Sequence, residues 1–159
     1  MPKPIPEGYH TITPSLVFKN AREAISFYQK AFGAQELFVI PTPDGKIMHA
    51  SLKIGDSIFM LGEENPAWPE QKSAESVGGG ACFSLYLYVQ DADAAFKQAV
   101  GAGAKAAEQP MDAFWGDRSA RVIDPFGYSW GLLTHVRDVS PEKMQQAAEE
   151  WMTQAAAKK

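Results

Sequence analysis

The sequence predicts an α+β fold made of two tandem β-α-β-β-β modules that form a curled sheet around a cup, plus a C-terminal helix. Two observations support this prediction. The order of elements expected in residues 11–63 recurs in residues 82–135, and the last hairpin of each copy contains a turn glycine, Gly55 or Gly127. Because the helices of such modules cover one sheet face, we expect the opposite faces to line the cup.

The first module follows an N-terminal arm of residues 1–10, and its elements have clear local signals. Residues 9–18 are β-rich, and Asn20 with Glu23 is typical of a helix start. Apolar residues then recur with helical periodicity as far as Gly33, which predicts the helix end. Three strands are predicted next, at residues 36–40, 47–54 and 57–61.

The second module repeats this order after residues 64–81, whose prolines and Gly-Gly-Gly run are typical of a linker. Asp91 is the predicted cap of its helix, and Asp124-Pro-Phe-Gly127 closes its last hairpin with turn residues. Ser140 predicts the start of the helix within residues 136–159. We expect the apolar stripe of that helix to pack on the body or on a second subunit. The strands of the second module are predicted at residues 83–89, 105–111, 117–123 and 128–134.

Composition and charge restrict the kinds of partner. The chain has 159 residues, of which 45% are hydrophobic, and a net charge of −4. No Lys/Arg cluster is present to neutralise phosphates, which argues against nucleic acid. No apolar run approaches the roughly 18 residues of a membrane span. Cys82 is the one cysteine, so no internal disulfide is expected. These features predict a cytoplasmic protein with a small-molecule partner.

Several motifs resemble those of the vicinal oxygen chelate superfamily, which includes glyoxalase I, extradiol dioxygenases, fosfomycin resistance enzymes and bleomycin resistance proteins. Within it, they look like the subgroup called PhnB-like or glyoxalase-like. The resemblance covers residues 9–139 and implies paired modules around a cup. The motifs lie at residues 8–14, 27–34, 47–50, 54–57, 116–118, 124–130 and 134–135.

The resemblance also implies where a metal ion would bind. In metal-using members, four ligands, usually His and Glu, project from the first and last strand of each module. Spacing places these positions at Thr13, Phe59, Ser84 and Gly131. None is a usual ligand, and such a set cannot hold a divalent ion. We therefore expect no cofactor and doubt glyoxalase I activity, with a divalent metal at a non-standard site as the alternative.

Strand alternation selects the candidate site residues. Met48, Ala50, Leu52 and Ile54 form an apolar face for the helices, so His49 points into the cup. The offset that superposes Gly55 on Gly127 places Arg121 at the equivalent position. His49 is the candidate catalytic residue. The candidate ligand-binding residues are Arg121, Arg118, Phe59, Ser84, Tyr86, Tyr88 and Trp115.

Each candidate has a structural alternative. His49 could be a general base, a lone metal ligand or a hydrogen-bonded structural histidine. Arg118 could form a salt bridge that holds the corner at Trp115 and Gly116. His10 and His135 lie at strand ends, where capping or surface roles are commoner.

Two functions remain open from the sequence. The first is a metal-independent binding protein of the bleomycin-resistance kind, with an aromatic or anionic ligand in the cup. The alternative is a lyase, isomerase or dioxygenase of the same superfamily that uses His49 as base or metal ligand. In either case we expect a homodimer whose modules can exchange between chains.

Overall fold

The computed structural model describes residues 1–157 and confirms the predicted α+β fold. It contains two four-stranded mixed sheets and three helices. The strand order is β1-β4-β3-β2 in the first sheet and β5-β8-β7-β6 in the second, and neither sheet closes into a barrel. The elements are β1 (Ser15–Phe18), α1 (Ala21–Phe32), β2 (Gln35–Pro41), β3 (Ile47–Ile54), β4 (Ser57–Glu63), β5 (Ser84–Tyr88), α2 (Ala92–Gly101), β6 (Lys105–Asp112), β7 (Asp117–Ile123), β8 (Ser129–His135) and α3 (Pro141–Ala157).

The helix ends follow their local signals. The Asn20 side chain accepts a hydrogen bond from the Glu23 amide at 3.2 Å, and Gly33 ends α1 in the left-handed conformation with φ 66°. Asp91 caps α2 in the same way. The first strand is shorter than predicted, because it begins at Ser15 rather than near residue 9. Pro14 has no amide hydrogen to continue the strand, and the residues before it extend the N-terminal arm.

One aromatic core joins the two modules. The ring of Tyr28 on α1 lies 5.2 Å from that of Trp130 on β8, and Phe18 on β1 lies 5.4 Å from Phe126. All four residues belong to the buried core. Helices α1 and α2 also pack against each other. The modules therefore share a single interior rather than folding as separate bodies.

A buried carboxylate reinforces this junction. Asp124 Oδ2 accepts hydrogen bonds from the Tyr28 hydroxyl at 2.6 Å and from Trp130 Nε1 at 2.9 Å. Its Oδ1 accepts from the backbone amides of Phe126 and Tyr128, both at 2.9 Å. Burial raises the pKa of Asp124, and the four hydrogen bonds oppose this shift. The turn of the second module is thereby tied to the helix of the first.

The two hairpins differ in length, and this corrects the internal alignment. Ile54 pairs with Ser57 across the first turn, whereas Ile123 pairs with Ser129 across a longer loop. Superposing Gly55 on Gly127 is therefore wrong by one residue in the last strand, which moves a side chain to the opposite face.

Sheet pairing gives the correct equivalences. Met60 pairs with Ser51 in the first sheet, and Gly131 pairs with Arg121 in the second. All four positions lie on the cup side of their sheets. Met60, not Phe59, is therefore the counterpart of Gly131. The counterpart of Arg121 is Ser51, not His49.

The connection between the modules is packed rather than extended. Ser73 and Ala74 are buried, and Glu64 accepts hydrogen bonds from the Ser73 amide at 2.8 Å and hydroxyl at 2.7 Å. Bonds from Ser76 and Ser73 lower the pKa of Glu64 to about 2. Residues 64–81 thus form an ordered loop on the body.

The C-terminal helix has no buried residue along Pro141–Ala157. Trp151 is 56% exposed and Met152 is 64% exposed. Trp151 contacts the body through Phe114, with ring centroids 6.4 Å apart. Of the two expected partners of the apolar stripe, the body leaves it largely uncovered, and packing on a second subunit stays a prediction. Within residues 1–157, no helix has the length and apolar character needed to cross a membrane.

Candidate functional site

Each sheet presents one face to the helices and the other to the cup side. Ala50 and Leu52 on β3, and Ala120 and Val122 on β7, are buried in the core. Strand alternation therefore places His49 with Ser51, and likewise Asp117, Ser119 and Arg121, on the opposite faces.

The first cavity lies between the N-terminal arm and the cup side of the first sheet, and its volume is about 600 Å³. The arm supplies proline, isoleucine and tyrosine side chains, and the sheet supplies His49. No Asp, Glu, Lys or Arg of the described chain is among the lining residues. They are Pro4, Ile5, Pro6, Tyr9, His10, Thr11, Thr13, Phe38, His49 and Met60.

A chain of three polar side chains crosses this cavity wall. His49 Nε2 lies 3.2 Å from Ser51 Oγ, and Ser51 Oγ lies 2.9 Å from the Tyr9 hydroxyl. Ser51 is fully buried. The ring of Phe38 on β2 lies 5.4 Å from the His49 ring at an interplanar angle of 31°. The imidazole therefore packs beside Phe38 and is hydrogen-bonded to Ser51. A second hydrogen bond, between Ser51 and Tyr9, attaches the arm.

A second cavity of about 790 Å³ adjoins the first, since His10 lines both. It lies between β5, the first hairpin and residues just before β1. Tyr86 and Tyr88 line it and are 59% and 68% exposed. Gly131 makes room for Tyr86, because a Cβ at position 131 would lie 2.4 Å from the tyrosine ring. The two cavities together present an aromatic surface beside His49.

Three of the predicted ligand-binding residues occupy other places. Phe59 was expected to face the cup, but it packs in the core against Tyr28 at 5.7 Å and only reaches the second cavity from that side. The one-residue shift between the hairpins explains this error. Ser84 and Trp115 line neither cavity.

Arg118 lies on the helix side of β7. Its guanidinium donates to both carboxylate oxygens of Asp93 on α2, at 2.8 and 3.0 Å, and lies 3.4 Å from Asp112. The pKa of Asp93 is lowered and that of Arg118 is raised, in each case mainly by this hydrogen bonding. Arg118 thus has the salt-bridge role rather than a ligand-binding one, with α2 as its principal partner.

Arg121 lies on the cup side of the second sheet, where its guanidinium forms an ion pair with Glu108 on the neighbouring strand. It lines neither cavity. In the part of the chain that the structure describes, His49 and Arg121 therefore do not meet in either cavity. The cation expected to hold an anionic ligand is already neutralised by a carboxylate.

The structure also shows a polar cluster that the sequence reading did not assemble. Buried Asp117 accepts hydrogen bonds from the Tyr88 hydroxyl at 3.1 Å and Trp115 Nε1 at 3.0 Å, and its Oδ1 lies 2.8 Å from His135 Nδ1. His135 Nε2 lies 3.0 Å from Asp138. Asp117 and His135 pair directly in the hairpin of β7 and β8. Counting outward along both strands from the turn at Asp124 was therefore the signal that could have revealed this cluster.

The two carboxylates alter the titration of this cluster. Asp138 and Asp117 raise the pKa of His135 by hydrogen bonding to its imidazolium form. The hydrogen bond to Asp117 also raises the pKa of Tyr88. The His135 imidazole is therefore held between Asp117 and Asp138 at the end of β8.

The residues present do not fit the metal site that the fold resemblance implies. With the corrected register, the four positions are Thr13, Met60, Ser84 and Gly131. None offers the imidazole, thiolate or carboxylate donors that a divalent ion requires. Across residues 1–157, no three His, Cys, Asp or Glu side chains cluster in a way that could hold a metal ion.

Comparison with known proteins identifies the family. The family model described as the Glyoxalase/Bleomycin resistance protein/Dioxygenase superfamily matches residues 9–132. The chain belongs to this superfamily. It is 42% identical over 137 residues to an uncharacterised protein of Mycobacterium tuberculosis strain H37Rv, which covers 86% of this chain and 81% of that protein.

Solved structures of the superfamily fold are similar over most of the chain. TioX from Micromonospora sp. ML1 has 28% identity and a TM-score of 0.64, covering 80% of this chain and 99% of that one. A gene product of Arabidopsis thaliana has 28% identity and a TM-score of 0.62, covering 79% and 98%. A family enzyme from Burkholderia phytofirmans PsJN matches at a TM-score of 0.62 and 21% identity, covering 77% and 95%. The chain therefore shares its fold with these structures over most of its length.

Proposed function

We propose that this superfamily member binds small aromatic molecules in the cup, without a metal ion. The observation that carries the proposal is the first cavity, whose lining is largely apolar and aromatic. Its polar lining residues are Tyr9, His10, Thr11, Thr13 and His49, and buried Ser51 joins Tyr9 to His49 behind the wall. Sites for small molecules typically combine an apolar lining with a few placed polar groups, in volumes of about 300–1,000 Å³.

An uncharged ligand suits this cavity better than an anionic one. Its lining contains no guanidinium or ammonium group among the residues described, and both candidate arginines are ion-paired elsewhere. A carboxylate or phosphonate would lose its hydration here without a counter-ion. Of the aromatic and anionic ligands considered from the sequence, we therefore propose the aromatic class.

A ligand screen tests the proposal. We expect fused aromatic molecules to raise the melting temperature, because a ligand at about 100 times its Kd stabilises the folded state by about 2.7 kcal/mol. Thermal shift across a panel of neutral and anionic aromatics measures this, with glucose as a non-aromatic control. If no neutral aromatic binds while an anionic compound does, the proposed ligand class is wrong.

The rival function is a lyase, isomerase or dioxygenase that uses His49 as base or metal ligand. The hydrogen-bonded chain from His49 through Ser51 to Tyr9 favours it, since such a chain can relay a proton. Elemental analysis of protein purified without chelator separates the two functions. Near-stoichiometric zinc, nickel, manganese or iron would support the enzyme and contradict metal-independent binding.

Two finer assignments complete the proposal. We place the chain in the PhnB-like subgroup, on the motifs at residues 116–118 and 124–130. We also place it in the cytoplasm, because its one cysteine, Cys82, is a free and exposed thiol, as expected in a reducing compartment.

We further propose a homodimer in which α3 contacts a second copy and the modules can exchange. The exposure of Trp151 and Met152 supports this, since large apolar side chains clustered on a surface often mark an interface. Light scattering at micromolar concentration should give twice the chain mass of 17.4 kDa. The double variant Trp151→Gln and Met152→Gln should shift the mass towards that of one chain. A wild-type monomer would contradict the dimer.

A further inference from the structure

We infer that His49 presents its Nδ1–H group to the first cavity, which selects neutral aromatic ligands that carry a hydrogen-bond acceptor. The inference rests on the proposed binding function and specifies its ligand class. It follows from the direction of the hydrogen bonds that join Tyr9, Ser51 and His49, and it makes Tyr9 and Ser51 positioning residues for the site.

Ser51 limits these hydrogen bonds to two arrangements. Its Oγ lies 3.2 Å from His49 Nε2 and 2.9 Å from the Tyr9 hydroxyl, and the residue is fully buried. A serine hydroxyl has one proton and two acceptor lone pairs. Accepting from both neighbours would leave the buried Ser51 proton without an acceptor within residues 1–157, so Ser51 donates to one neighbour and accepts from the other. In the first arrangement, Tyr9 donates to Ser51 and Ser51 donates to Nε2. In the second, Nε2–H donates to Ser51 and Ser51 donates to Tyr9.

The chemistry of Tyr9 favours the first arrangement. A phenol is a stronger acid than an aliphatic alcohol, and its oxygen lone pair is delocalised into the ring, so it donates better than it accepts. We therefore assign Tyr9 as the first donor and Ser51 as the donor to Nε2.

The tautomer of His49 follows directly. A neutral imidazole has one N–H group, and a nitrogen that accepts a hydrogen bond cannot carry it. With Nε2 accepting from Ser51, the proton resides on Nδ1. No protein partner of Nδ1 occurs within the described residues, so this N–H is available to a ligand.

The surroundings of His49 define the rest of the ligand. The Phe38 ring lies beside the imidazole at 5.4 Å, and Met60 and the arm prolines add apolar surface. Flat aromatic rings pack well on such walls. The matching molecule is a neutral aromatic with an acceptor at its edge, such as a ring nitrogen or a carbonyl oxygen.

The tautomer is testable without any ligand. Nitrogen-15 NMR at about pH 8.5, where histidine side chains are ordinarily neutral, distinguishes Nδ1–H from Nε2–H. We expect Nδ1–H in the wild type and a mixture of tautomers in Tyr9→Phe, which removes the first donor. Tyr128→Phe is the matched control, because it makes the same change at a hydroxyl that donates to the Val17 carbonyl and lines neither cavity. A predominant Nε2–H form in the wild type would overturn the inference.

Three fused bicyclic molecules test the ligand class. Quinoline carries an acceptor, indole carries a donor, and naphthalene carries neither. We expect quinoline to bind about fivefold more tightly than naphthalene, the effect of one neutral hydrogen bond, and indole to bind no better than naphthalene. In Tyr9→Phe the advantage of quinoline should shrink, while Tyr128→Phe should retain it.

The outcomes separate the two proposals. If all three molecules bind but indole is preferred, the inference is wrong and the binding function stands. If none binds, the proposed function is contradicted, and the NMR result alone decides the tautomer. Melting temperatures of both variants establish that the comparison is between folded proteins.

Discussion

Replacing Asp124 with asparagine is expected to lower the free energy of unfolding by about 3 kcal/mol. Oδ2 of Asp124 accepts from both Tyr28 and Trp130 in the shared core. An amide NH2 group at that position would face the Trp130 N–H, so two donors would meet and one buried hydrogen bond would be lost outright. The alternative amide orientation would place the same conflict at the backbone amides of Phe126 and Tyr128.

Urea unfolding measures this effect, with Asp56→Asn as the matched control. Asp56 is the turn aspartate of the first module and is exposed, so its replacement should change stability by no more than about 0.5 kcal/mol. Tyr28→Phe removes one donor and should cost about 1 kcal/mol. If Asp124→Asn left the free energy of unfolding nearly unchanged, the carboxyl would be protonated in the fold. It would then not accept hydrogen bonds from all four donors.

His49→Gln is expected to weaken binding of an aromatic ligand at least tenfold, or about 1.4 kcal/mol, with little loss of stability. The imidazole contributes both a ring beside Phe38 and a hydrogen-bonding nitrogen in the first cavity. The fold should tolerate the change, because Ser51 still accepts from Tyr9 and the glutamine side-chain oxygen can accept the Ser51 proton. Isothermal titration with a ligand from the screen measures the loss.

His135→Gln provides the control, since His135 lines neither cavity. Its replacement should leave ligand affinity unchanged, although it removes the contacts with Asp117 and Asp138. A structural role for His49 would give the opposite result, with a lower melting temperature and unchanged affinity of the folded protein.

Local chemistry determined much of this fold. Asn20 and Asp91 cap the helices because each side chain satisfies an amide at its own helix end, and Gly33 ends α1 because it tolerates a positive φ. Alternation along β3 places Ala50 and Leu52 in the core and His49 in the first cavity. These features depend on neighbours within a few residues, so the sequence by itself predicts them.

Other features depend on contacts between distant segments. The register of β4 depends on the length of the turn that precedes it, and this turn is shorter than the corresponding turn of the second module. The resulting register places Phe59 in the core. The sequence predicted Arg118 and Arg121 as ligand-binding residues. In the fold, Asp93 on α2 pairs with Arg118, and Glu108 on β6 pairs with Arg121. Charge pairing of this kind requires positions in space, which residue spacing does not supply.

The arm illustrates the same division. Its prolines carry no helical or strand period, and the sequence predicted an arm of residues 1–10 with Tyr9 at the start of a β-rich run. The tertiary structure placed Tyr9 against Ser51 and made the arm a wall of the first cavity. The type of each element was determined locally, by capping, turn geometry and alternation. The functional surface was decided by tertiary packing, because a hydrogen bond between residues 42 positions apart forms only when the fold brings them together.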